Sequence, residues 1–171
     1  MTTIGRVVDE LRASALANLT IGDAGLLVAA ILSDAPGRAV VVFAAVNIVI
    51  AVLWARFGPS GKVRRLAPRA GTPPDDAVVE ETSVVRRRVW IGLIPVAVMV
   101  AILIAIAPES AAVLAGVPAG VGAGDLWVLG WARRYEAERR EEILRQVPRS
   151  PFSGGQRLVY TRPMNDATDA T

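Results

Sequence analysis

The sequence predicts an all-α fold: a polytopic helical membrane protein with four transmembrane helices arranged as two hairpins, plus cytoplasmic helical extensions. Three observations predict it. Residues 89–107 contain no charged side chain, and neither do residues 39–55. The 171-residue chain is 53% hydrophobic and only 20% charged, with a mean hydropathy of +0.42. Its basic residues cluster in alternate loops, the pattern expected when those loops stay in the cytoplasm.

The elements follow in chain order. Residues 1–20 place Ile4, Val8, Leu11, Ala15 and Leu19 at helical spacing, with Arg6, Asp9, Glu10 and Arg12 elsewhere. That spacing predicts an amphipathic helix lying on the membrane or feeding the first span. The first span covers residues 13–33 and is interrupted by Asp23. If Asp23 instead caps a helix over 24–32, that helix is too short to cross. Three spans then remain, the first segment is re-entrant or interfacial, and the amino terminus could lie outside. The second span, residues 39–55, is short but long enough with slight local thinning of the bilayer.

Residues 56–88 form a loop rich in Gly, Pro and Arg, predicted irregular at its start. Thr72 as N-cap and Pro73 at the first helical position predict a cytoplasmic helix from about residue 74. The third span is residues 89–107, with a bend expected at Pro95. The fourth is residues 111–131, with a kink or break expected at Pro118. Residues 132–147 offer Arg134–Glu138, Glu136–Arg140 and Glu141–Arg145 at helical i,i+4 spacing, which predicts a charged cytoplasmic helix. Residues 148–171 read as an extended or disordered tail.

Charge sets the predicted orientation. Of 19 basic residues, eight lie in 56–88, eight follow residue 132, and Arg6 and Arg12 precede the first span. Only Arg38 falls in the two short loops on the other side. Cytoplasmic loops are the ones enriched in Lys and Arg, so both termini and the long loop are expected inside, in the inner membrane of a bacterium. Trp54, Trp90, Trp127 and Trp131 fall at that same predicted interface, where an amphipathic indole prefers the headgroup region. Arg86, Arg87 and Arg88 with Trp90 read as an interface anchor. An anionic-lipid site at those arginines is the functional alternative.

The chain has no Cys and no His. This excludes disulfides, thiol chemistry, His-ligated haem or zinc, and the commonest general base. No phosphate loop or metal-ligand spacing is present, so the expectation is no enzymatic activity, no cofactor and no metal. The pI near 10.1 invites a nucleic-acid reading, but the basic residues flank membrane spans instead. The amino terminus lacks the pattern of a secretory signal peptide.

Three polar residues inside the spans are candidate functional groups: Asp23, Asn47 and Asp125. Each is costly in a bilayer, so each needs a partner or a function. Gly116, Gly120 and Gly124 repeat at i,i+4 on the fourth span, two overlapping GxxxG motifs that permit close helix packing, within the protomer or between copies. The expected partners are membrane lipids together with another protein or a second copy. Two functions compete: an accessory or scaffolding subunit of a larger membrane assembly, and a small oligomeric transporter or channel using Asp23, Asn47 and Asp125.

Overall fold

The structure, a computed structural model, describes residues 2–147 and 158–164. Strand β1 (Thr2–Arg6) runs directly into helix α1 (Val7–Leu32), and a tight turn leads to α2 (Pro36–Phe57). Short helix α3 (Pro59–Leu66) and a 3-10 turn (Ala67–Arg69) follow, then strand β2 (Ala77–Val79). Helices α4 (Thr82–Ile106) and α5 (Pro108–Arg139) complete the bundle, and β3 (Glu141–Gln146) and β4 (Val159–Pro163) close the chain. Four helical segments, Val7–Leu32, Pro36–Arg69, Thr82–Ile106 and Ser110–Arg139, are long and apolar enough to cross a membrane.

Helix α1 is continuous through Asp23, which therefore caps nothing. Its buried residues Leu11, Ala15, Asn18, Gly22, Gly25 and Ala29 recur at alternating spacings of about three and four, one stripe of a 3.6-residue helix. Both internal prolines, Pro95 and Pro118, are carried within unbroken helices. The break expected at Pro118 is absent.

Helix α5 sits between α1 and α2 and packs on them with two different faces. Toward α2 it turns Gly116, Gly120 and Gly124. A Cβ at Gly120 would stand 2.6 Å from the Ile50 Cβ and 2.7 Å from the Asn47 carbonyl oxygen. The glycine motif is thus used inside the protomer. Toward α1, α5 presents Ala115, Ala119 and Gly122, which meet Gly22, Gly25, Ala15 and Leu19. In lipid there is no hydrophobic drive between apolar helices, so small residues stabilise the pair by allowing close van der Waals approach. Helix α4 is the peripheral member, with only Val85 and Val100 buried along its length.

The fold is not all-α. The four strands form one sheet in the order β2-β1-β3-β4, with β1 and β2 parallel and the other pairs antiparallel. This sheet takes over part of each of the three expected extramembrane helices: residues 2–6 of the first, the start of the second, and residues 141–146 of the third. Residues 2–6, predicted helical by apolar spacing, pair with both Ala77–Val79 and Leu144–Gln146. The helix predicted from about 74 is a turn and a strand, held by the Glu80 amide donating to the Ile4 carbonyl at 2.7 Å. Helix formation resumes only at Thr82.

Residues 132–147 divide. Helix α5 continues to Arg139, and Arg140 adopts a left-handed conformation (φ 53°, ψ 38°) that turns the chain into β3. The expected local ion pairs give way to long-range ones. Arg145 meets Glu10 on α1 at 2.5 Å instead of Glu141. Glu136 accepts the Ile143 amide at 2.9 Å. Of the tail, residues 159–163 form β4, while 148–157 and 165–171 lie outside the described residues.

The sheet gathers the amino-terminal strand, the middle loop and the carboxy-terminal strands at one end of the bundle. Beneath it Val7, Leu11, Val63, Ala67, Val128, Leu129, Ala132 and Ile143 form a core. Burying each Leu, Ile or Val there contributes roughly 1.5–3 kcal/mol where water is the alternative. The middle loop engages both flanks of the sheet. Gly71 bridges Tyr160 on β4, and Ala77–Val79 pairs with β1.

Candidate functional site

The most developed polar cluster is built around Asp125, which is 2% exposed. Helix α5 brings this carboxylate to the sheet end of the bundle, where α1, α2 and α3 converge. The Trp54 indole, in the last turn of α2, donates to Oδ1 at 2.8 Å. The Ser60 hydroxyl, from the first turn of α3, donates to the same oxygen at 2.5 Å. The Ser14 hydroxyl on α1 donates to Oδ2 at 2.5 Å. Behind it, the Asn18 amide donates to the Ser14 hydroxyl at 3.2 Å and to the Ser14 carbonyl at 3.0 Å.

Local structure places each donor. Gly58 and Pro59 separate α2 from α3, and α3 folds back so tightly that a Cβ at Gly61 would stand 2.5 Å from the Ala55 carbonyl oxygen. That fold-back brings Ser60 against the middle of α5. Both hydroxyls lie within hydrogen-bonding distance of the carboxyl oxygens. With three donors on two oxygens inside a packed junction, the carboxylate binds four helices together.

Asp23 is not part of this junction. It lies on the same helix as Ser14 but about 13 Å further along it, on the exposed side. Asn47 is half-buried on α2, where its carbonyl oxygen faces Gly120. The three polar residues singled out in the sequence therefore lie apart within the protomer. Gly116, Gly120 and Gly124 do act together, as the seam with α2.

The aromatic and basic residues divide in the same way. Trp90 and Trp127 are 42% and 59% exposed and free to meet an interface. Trp54 is occupied by Asp125, and Trp131 packs on the core with its ring 5.3 Å from that of Tyr135. Arg86 and Arg87 are exposed, whereas Arg88 holds both oxygens of Glu80 at 2.8 and 2.6 Å.

No protein family, curated protein or solved structure matches this chain.

Ser14, Ser60 and Asn18 escape sequence reasoning. Ser14 and Ser60 stand 111 and 65 residues from Asp125, and nothing about a serine signals such a contact. The nearest signal is the cost of Asp125 itself, which demands donors from somewhere. Tryptophan at a predicted interface has an ordinary reading as an anchor, which hides the second role of Trp54.

Proposed function

We propose that this chain is a small, non-enzymatic integral protein of a bacterial inner membrane, an accessory or scaffolding subunit that presents its sheet to a partner on the cytoplasmic face. The observation that carries the reading is the sheet. Three distant parts of the chain join into one surface at one end of the bundle. The positive-inside distribution of Lys and Arg favours the cytoplasm for that end. The flanks of the sheet expose apolar side chains: Val78 and Val79 on β2, and Leu158 and Met164 beside β4. Exposed apolar groups at a strand edge suit a protein partner.

The disposition of the intramembrane polar groups supports the same reading over transport. Asp125 is fully engaged by Trp54, Ser60 and Ser14, and Asp23 is remote from it. A pathway needs groups that can exchange their ligand, and Asp125 is instead built into a junction.

The test uses the full chain at native abundance in its own membranes. After mild solubilisation and native electrophoresis, it should migrate with a second, distinct protein identified by mass spectrometry. Val78→Lys combined with Val79→Lys should release that protein while leaving the thermal stability of the purified chain unchanged. A cation- or proton-dependent flux through vesicles containing the purified chain, abolished by Asp23→Asn, would overturn the reading in favour of a transporter.

A further inference from the structure

Among the described residues, the bundle leaves one charged side chain on its outer surface deep within the apolar zone. The exposed faces of α2, α4 and α5 carry Val, Ile, Leu, Met and Ala there, and lipid satisfies them. Helix α1 differs. Its exposed face holds Leu16, Thr20, Asp23 and Leu27 at alternating spacings of four and three, with Ile31 one turn beyond. Leu16, Leu27 and Ile31 are 56%, 63% and 72% exposed. Asp23 stands roughly 13 Å short of the Leu32 end of α1, too deep for its short side chain to reach a headgroup.

Two features of this face point to another helix and not to lipid. Alternating spacings of four and three form the seam of a left-handed helix pair, in which a polar residue sets register and partner. Beside Asp23, Thr20 and Ala24 are both exposed and small, and small residues four apart allow helix backbones to approach closely. The chain also carries the complement that Asp23 needs. In the protomer the Thr20 hydroxyl donates to the Leu16 carbonyl at 2.8 Å, an acceptor already engaged in the helix ladder. A carboxylate is the stronger acceptor.

We propose that α1 pairs with α1 of a second copy of this chain through Leu16, Thr20, Asp23 and Leu27, the Thr20 hydroxyl of each copy donating to the Asp23 carboxylate of the other. Two copies inserted in one membrane share an orientation, so a two-fold axis along the membrane normal sets α1 against its own image. Every contact then occurs twice, as an isologous interface requires. Thr20 and Asp23 are one turn apart on one face, so the exchange is reciprocal. The glycine seam of α5 remains inside each protomer. This interface is independent of the sheet and of whatever the sheet binds.

The test exploits the absence of native cysteine. The full chain is purified and reconstituted in vesicles of phosphatidylethanolamine and phosphatidylglycerol. Under mild oxidation, Leu27→Cys should form a disulfide-linked dimer, because only close helices bring two Cα atoms within disulfide range. Val98→Cys on α4 and Val49→Cys on α2, both exposed, should not. In the same vesicles, dimerisation measured by energy transfer between labelled copies should weaken up to about ten-fold with Thr20→Val or Asp23→Leu. Asp23→Asn should retain most of the association, since an amide still accepts the Thr20 proton. A chain that stays monomeric at high protein-to-lipid ratio would overturn the proposal, and so would cross-linking through Val98→Cys in place of Leu27→Cys. Dimerisation unchanged by Asp23→Leu would remove the role assigned to Asp23. Loss of the sheet's partner by Val78→Lys and Val79→Lys would leave this dimer intact, so the two tests fail separately.

Discussion

Ser60 donates its hydroxyl to the buried carboxylate of Asp125 at 2.5 Å, although the two residues are 65 apart in sequence. The bond fastens α3 to the middle of α5. With Ser14 and Trp54 it makes one carboxylate the meeting point of four helices.

Replacing Asp125 separates the contributions of charge and hydrogen bonding. Asp125→Leu leaves two hydroxyls and an indole N–H without an acceptor, and it should destabilise the chain by roughly 3–5 kcal/mol. Asp125→Asn keeps one strong acceptor for Trp54 and Ser60, and should cost only about 1–2 kcal/mol. Ser60→Ala should fall in the same lesser range. Thermal unfolding in detergent, read by circular dichroism, gives the order. Equal effects of Leu and Asn would show that the donors do not depend on Asp125.

Gly120 tests the seam between α5 and α2. Its nearest neighbours across the seam are the Asn47 carbonyl oxygen and the Ile50 Cβ, which cannot swing aside as the end of a flexible side chain would. Even Gly120→Ala must push the two helices apart, and a loss of roughly 1–3 kcal/mol is expected, more for Gly120→Leu. Because the seam lies within one protomer, stability should fall in monomeric protein diluted in detergent. A change in oligomer size with no change in monomer stability would place the seam between copies.

The spans are legible in the sequence because they rest on local composition. Uncharged runs at 39–55 and 89–107 become the apolar parts of α2 and α4, and the basic clusters mark the end where the sheet forms. The sheet is illegible for the opposite reason. Residues 2–6 and 141–146 have helical apolar or charge spacing, yet Ile4–Arg6 and Leu144–Gln146 pair with each other across more than a hundred residues, and each strand takes a further partner on its other side. Pairing of that kind overrides local propensity and leaves no periodic mark. Val78, Val79, Val159 and Thr161 carry a β-branched signal, but in segments too short to weigh against it. The Asp125 junction is half legible. Its carboxylate announces a need for partners, while the serines that answer it look like any others.

Arg140 tests the helix-to-strand corner. Its φ of 53° is the one positive value among the described non-glycine residues, and an L side chain is strained there. Its carbonyl also accepts the Met164 amide at 2.8 Å, which ties the corner to the end of β4. Arg140→Gly removes the strain and keeps that bond, so a gain of about 0.5–1 kcal/mol is expected. Arg140→Val should destabilise, because a β-branched side chain fits this region worst. Chemical denaturation of the purified chain distinguishes the two signs.

The most direct measurement is the accessibility of single cysteines on either side of the membrane. Ser83 is exposed beside the sheet, and Ser110 is exposed at the opposite end of the bundle. In intact bacterial cells, an impermeant thiol reagent should label Ser110→Cys and leave Ser83→Cys untouched until the membrane is opened. That result would place the sheet in the cytoplasm, with the four helices crossing between the two positions. Labelling of Ser83→Cys from outside in intact cells, or of both positions from the same side, would contradict it.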